Sequence, residues 1–94
     1  MVTSAQIRAA RSLIGLSQGK VADATGLSVP TIKRAESGSG LRASPAAIEA
    51  IRMALEKAGV IFLAEDSEGA GVRLRKSTRT EGLRPDELNA ANDD

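Results

Sequence analysis

The chain contains no cysteine and no histidine. The first absence excludes disulfides and thiolate metal sites, and it suits a reducing compartment, here expected to be the cytoplasm. The second removes the commonest general base and the commonest zinc ligand. Trp and Tyr are also missing, and Phe62 is the single aromatic residue. A core must therefore be assembled from Ala, Val, Ile and Leu, which suits small helices whose backbones approach closely. No apolar run nears the ~20 residues needed to span a bilayer. The first residues lack the charged-then-apolar pattern of a secretory signal. No serine has a paired base in view and there is no Walker-type phosphate loop, so an enzyme is not expected. Neither a metal nor a cofactor is expected, and no membrane partner.

What remains is 94 residues, 41% hydrophobic and 27% charged, enough for one small folded unit. The net charge of +1 conceals an asymmetry. Residues 1–58 hold eight Lys and Arg against four Asp and Glu; residues 78–94 hold two against five. The first part carries a field that a polyanion favours, and the last reads as an acidic tail.

Hydrophobic spacing divides the chain. Thr3 with Gln6 has the spacing of a capping box, and Ile7, Ala10, Arg11 and Ile14 then share one face of a helix that Gly15 closes. Ser17 caps a second short helix, expected to turn Val21, Ala22 and Ala24 inward, which Gly26 ends. A third follows Ser28, with Pro30 in its first turn and Ile32 and Ala35 facing in. Residues 37–43 are a loop by composition. Ser44 and Pro45 open a fourth helix with a stripe of Ile48, Ile51, Leu55 and Ala58 and an external Glu49–Arg52 pair. After Gly59 the period changes from 3.6 to 2. Residues 60–64 and 72–75 read as the strands of a hairpin. The polar residues 77–94 read as disordered.

One stretch carries more than periodicity. Ile7-Arg8, Arg11, Gly15-Leu16-Ser17-Gln18, Val21-Ala22, Gly26-Leu27-Ser28, Thr31-Ile32 and Glu36-x-Gly38 stand at fixed spacing. In this pattern the segment resembles the lambda-repressor-like helix-turn-helix regulators, the XRE family. The resemblance implies a mostly α fold: a four-helix DNA-binding domain over residues 1–59, followed by the two-stranded β-hairpin of 60–76 and the acidic tail. It implies sequence-specific binding to double-stranded DNA by a transcriptional regulator, a repressor by preference. The third helix, residues 28–36, would enter the major groove.

The roles that follow are the family's, placed on matching positions. Gln18 and the Ser28 helix start would meet phosphate. Val29, Pro30 and Arg34 fall where base contacts are usual, with Thr31 and Lys33 beside them on the outward side. Arg34 suits O6 and N7 of guanine, and Val29 and Pro30 suit a thymine methyl. Lys33 and Arg42 would contact phosphate. Arg11 and Glu36 would form a structural ion pair between the first and third helices.

Two apolar faces on one hairpin call for cover on both sides. Val60, Ile61, Phe62, Leu63 and Leu74 are therefore the expected contacts of a homodimer, with Leu13 adding to the surplus. The competing reading is a protein-interaction module or antitoxin-type regulator, whose helix-turn-helix or hairpin binds another protein. The cations on the third helix favour nucleic acid.

Overall fold

A computed structural model describes residues 2–38 and 42–76. The expected disordered tail at 77–94 lies outside the described residues, as does the middle of the loop at 39–41.

Among the described residues four helices form as the caps foretell: α1 (Ser4–Ile14), α2 (Gln18–Thr25), α3 (Val29–Ser37) and α4 (Pro45–Lys57). At each start an extended Ser or Thr accepts a hydrogen bond from a backbone N–H within the first turn: Thr3 from Gln6, Ser17 from Lys20, Ser28 from Thr31 and Ser44 from Ala47. Gly26, at φ 75°, ends α2 in the left-handed region and permits the tight turn into α3. Gly59 is more demanding. At φ 118° it lies where side-chain-bearing residues seldom go, and it swings the chain out of α4 directly into a strand.

The strands are β1 (Val60–Leu63) and β2 (Gly71–Leu74), antiparallel, with Val60 opposite Leu74 and Leu63 opposite Gly71. Each differs slightly from the pattern-based bounds. Ala64 belongs to the connection and not to β1, while Gly71 joins β2 because it pairs with Leu63. Arg75 leaves the ladder, although its N–H still bonds the Gly59 carbonyl at 2.6 Å.

The core is contributed by the four helices and β1, with Val72 of β2 packed against it. Ile7 and Ala10 of α1, Val21 and Ala22 of α2, Ile32 and Ala35 of α3, Ile51 and Leu55 of α4, and Val60 of β1 pack as one cluster. Two expected stripe residues are corrected. Ala24 is exposed, because Val21, Ala22 and the half-buried Thr25 already occupy the inward arc of so short a helix. Ala58 is exposed because the chain leaves helical geometry there, and Ile48 is only half-buried. The Glu49–Arg52 pair forms as read, with Glu56 joining Arg52 at 2.6 Å. All three sit at the surface and contribute little.

The hairpin packs on α1 and α4 and is not an appendage. Its best anchor was invisible in the capping-box spacing. Gln6 is 6% exposed, and every polar atom of its side chain is engaged. Its Oε1 accepts from Thr3 N–H at 2.9 Å, and its Nε2 donates to the carbonyls of Leu63 and Gly71, both at 2.9 Å. One amide thus caps α1 and clips the turn end of the hairpin to it.

Replacing Gln6 by Leu keeps most of the volume and removes the clip. A buried polar group deprived of its partner costs about 1–3 kcal/mol. Urea unfolding of Gln6→Leu is expected to show a loss in that range, with faster amide exchange at Leu63 and Gly71. An unchanged midpoint would show that the amide contributes nothing.

Candidate functional site

The turn Gly26-Leu27-Ser28 sets α2 and α3 against each other, and side chains around it hold the angle. Thr25 spans the junction: its Oγ1 donates to the Val21 carbonyl at 2.8 Å and accepts from Leu27 N–H at 3.2 Å. The half-buried Leu16 and Leu27 close the apolar contact.

On α3 the residues at i, i+3, i+6 and i+7 from Val29 form the inward stripe: Val29, Ile32, Ala35 and Glu36. Val29, expected on the outward side, is thus half-buried against the core; it heads the stripe that Ile32 continues. Pro30 and Lys33 are exposed. Thr31 and Arg34 lie between, in a short hydrogen-bonded line: Ser28 Oγ stands 2.9 Å from Thr31 Oγ1, which accepts from Arg34 Nη2 at 3.1 Å. Arg34 therefore leans along the flank of α3. There it lines, with Arg42, a cavity of about 590 Å³ bordered by Thr3, Ser4, Gly38 and Ile48. Of the sequence-predicted contacts, the structure brings Ser28, Thr31 and Arg34 into one row, sets Pro30 and Lys33 beside it, and places Arg42 with Arg34 among the residues that line the cavity.

Gln18 stands apart from that row. It is half-buried at the start of α2, and its Nε2 donates to Glu36 Oε1 at 3.1 Å. Glu36 is the meeting point of three elements. Its carboxylate receives Arg11 at both oxygens, Nε to Oε2 at 2.6 Å and Nη2 to Oε1 at 3.1 Å. Its main-chain carbonyl accepts from Arg8 Nη1. Arg11 completes its contacts by donating to the Leu16 carbonyl at 3.0 Å. The hydrogen bonds to Glu36 hold the Arg11 guanidinium above its ordinary pKa, against the opposing cost of burial. The ion pair between the first and third helices is therefore present, bidentate, with Glu36 5% exposed.

Two of these contacts have no signal in the sequence: the motif gives Arg8 no role and points Gln18 only outward. Both meet Glu36 across separations of 28 and 18 residues, for which local spacing carries no signal. Among the described residues, no group of three or more acidic, His or Cys side chains converges as a metal site would need, and no helix is long and apolar enough to cross a membrane.

Residues 4–56 match the family model of a helix-turn-helix domain. The match takes in all of α1 to α3 and nearly all of α4, and leaves the hairpin outside. No curated protein matches the chain.

Removing the partner of a buried carboxylate leaves an uncompensated charge. Arg11→Ala is expected to cost more than the ~1 kcal/mol of an exposed pair and to approach the ~3–5 kcal/mol of a fully buried one. Glu36→Gln should cost less, because it removes the buried charge and keeps an acceptor for Arg11. Thermal melts of both variants check the order; a parental melting temperature for Arg11→Ala would make the pair mere surface charge.

Proposed function

The chain belongs to the helix-turn-helix domain family, and on that premise we propose that it is a sequence-specific regulator of transcription, a repressor, that binds double-stranded DNA with α3 in the major groove. Family membership supports DNA as the partner. The observation that carries the finer reading is the outer side of α3: exposed Pro30 and Lys33 beside the row of Ser28, Thr31 and Arg34, with no acidic side chain among them. Helix-turn-helix domains of this kind act by binding, and no catalytic step is proposed.

The proposed division of labour follows the chemistry of each group. Lys33 and Arg42, both exposed cations, neutralise phosphate. The amino termini of α2 and α3 direct backbone N–H groups toward phosphate, with Ser28 at the second. Gln18, held by Glu36 through one N–H, offers the rest of its amide to the backbone at the first. Arg34 reads guanine through the N–H groups that Thr31 does not occupy. Pro30 presents apolar surface to a thymine methyl, and the visible edge of Val29 adds to it. A homodimer sets two such helices about 34–36 Å apart, one turn of the duplex, and so doubles the contact without enlarging the chain.

Binding sites selected from random duplexes test this reading. Affinity for the selected duplex should fall with salt, each neutralised phosphate contributing a slope of about −0.9 in log K against log salt. A slope near zero, or no selected site at low salt, overturns it. Arg34→Ala should lose about 1–3 kcal/mol at one base pair and relax specificity there, whereas Lys33→Ala should weaken all sequences alike. Equal losses on selected and random DNA for both variants would show the readers to be wrongly assigned.

A further inference from the structure

The hairpin has two edges, and they differ. The bond from Arg75 N–H to the Gly59 carbonyl makes Gly59 and Arg75 a hydrogen-bonded pair. Antiparallel pairs alternate, so Ile61 with Arg73 and Leu63 with Gly71 are bonded too, while Val60 with Leu74 and Phe62 with Val72 are not. The backbone N–H and C=O groups of Val60 and Phe62 therefore point away from β2, along the outer edge of β1. They have no ladder partner among the described residues, because the sheet has two strands. The outer edge of β2 is formed in the same way by Val72 and Leu74, but that strand carries Arg73 and continues into Arg75 and Lys76, all exposed. Charges on an edge strand discourage pairing. β1, Val-Ile-Phe-Leu, has none.

We propose that a second copy of the chain docks on the edge of β1, antiparallel about a two-fold axis at Ile61, and extends the hairpin to a four-stranded sheet. The inference rests on the reading of the protein as a two-unit DNA binder and supplies the contact that reading needs. The axis position follows from the bonding groups. An axis at Ile61 sets Val60 against the second copy's Phe62 and Phe62 against its Val60, so that all the outward groups of both residues are used. An axis at Val60 or at Phe62 pairs only that residue with itself inside the strand.

The side chains agree with this register. Val60 and Phe62, expected as dimer contacts, turn their side chains to the core, Val60 with no exposure at all. They contribute backbone only. Ile61 and Leu63 occupy the opposite face and are half-buried. About this axis Ile61 meets its own copy in a non-hydrogen-bonded pair, where side chains approach most closely. Charges are complementary as well. The connection between the strands is acidic at Glu65, Asp66 and Glu68, and the antiparallel arrangement brings the end of β1 that leads into it to the start of the second copy's β1, next to the end of α4 and its Lys57; Glu65 and Lys57 are both exposed. The two-fold makes that attraction twice.

The absence of cysteine makes the axis directly testable. Residues opposite each other in such a pair have Cα atoms about 4.5 Å apart, within disulfide reach. Full-length Ile61→Cys and Arg73→Cys are oxidised at micromolar concentration without DNA, with circular dichroism to verify the fold, and the parent chain is sedimented alongside. Ile61→Cys is expected to form disulfide dimer about tenfold faster than Arg73→Cys, whose rate reports chance encounter or the β2 edge, because a docked pair has a raised effective concentration. The parent is expected to sediment as a dimer. Faster cross-linking through Cys at 73, equal rates for both, or a monomeric parent each overturns the proposal. None of these outcomes bears on DNA binding, which the salt dependence tests separately.

Discussion

The carboxylate of Glu36 is the constraint around which the helical unit is arranged. An ionised group at that depth costs several kcal/mol to desolvate unless its oxygens are met. Here they are met from two sides, by Arg11 of α1 and Gln18 of α2, while Arg8 holds the same residue's main chain. Buried ion pairs in general add little net stability over an apolar replacement of the same shape. What this one imposes is position: α1, α2 and α3 are admitted only in the arrangement that brings these donors to one point. The outward face of α3 is a consequence, since Glu36 and Ile32 inside leave Pro30 and Lys33 outside.

The apolar core is modest, so its enclosure matters. With one aromatic residue in the chain, the cluster relies on Ile, Leu and Val held against alanines, and three of its most buried members come from α4 and β1: Ile51, Leu55 and Val60. The hairpin supplies Val60 directly and lays Phe62 and Val72 over the cluster. A lone hairpin is marginal in water, and this one is stabilised by the helices it covers. Gln6 makes the dependence mutual, because the amide that caps α1 also binds the carbonyls at the far end of the ladder.

Burial on one face leaves the hairpin asymmetric on the other. Its outward face is apolar on β1 and cationic on β2, and its connection is acidic. The helical unit has a comparable division, with the core stripe of α3 behind and its cations in front. In the reading proposed above, recognition of a polyanion falls to α3 and association of copies to the hairpin, so that a change at one surface need not disturb the other.

The boundaries of the helices were legible from the sequence because their causes are local. A serine or threonine cap, a proline in the first turn and a glycine after the last act within four residues, and the switch of period after Gly59 marks the hairpin just as locally. The family pattern likewise carried the pairing of Arg11 with Glu36. What the tertiary structure decided are the contacts that bring distant residues together. Gln6 reads as a cap whether or not a hairpin lies 57 residues away, Gln18 reads as an outward amide whether or not Glu36 is beneath it, and Val60 and Ile61 are equally apolar until the register of β1 sends one to the core and the other outside. Spacing along the chain encodes which face a residue shares with its neighbours; which face is then covered depends on long-range packing.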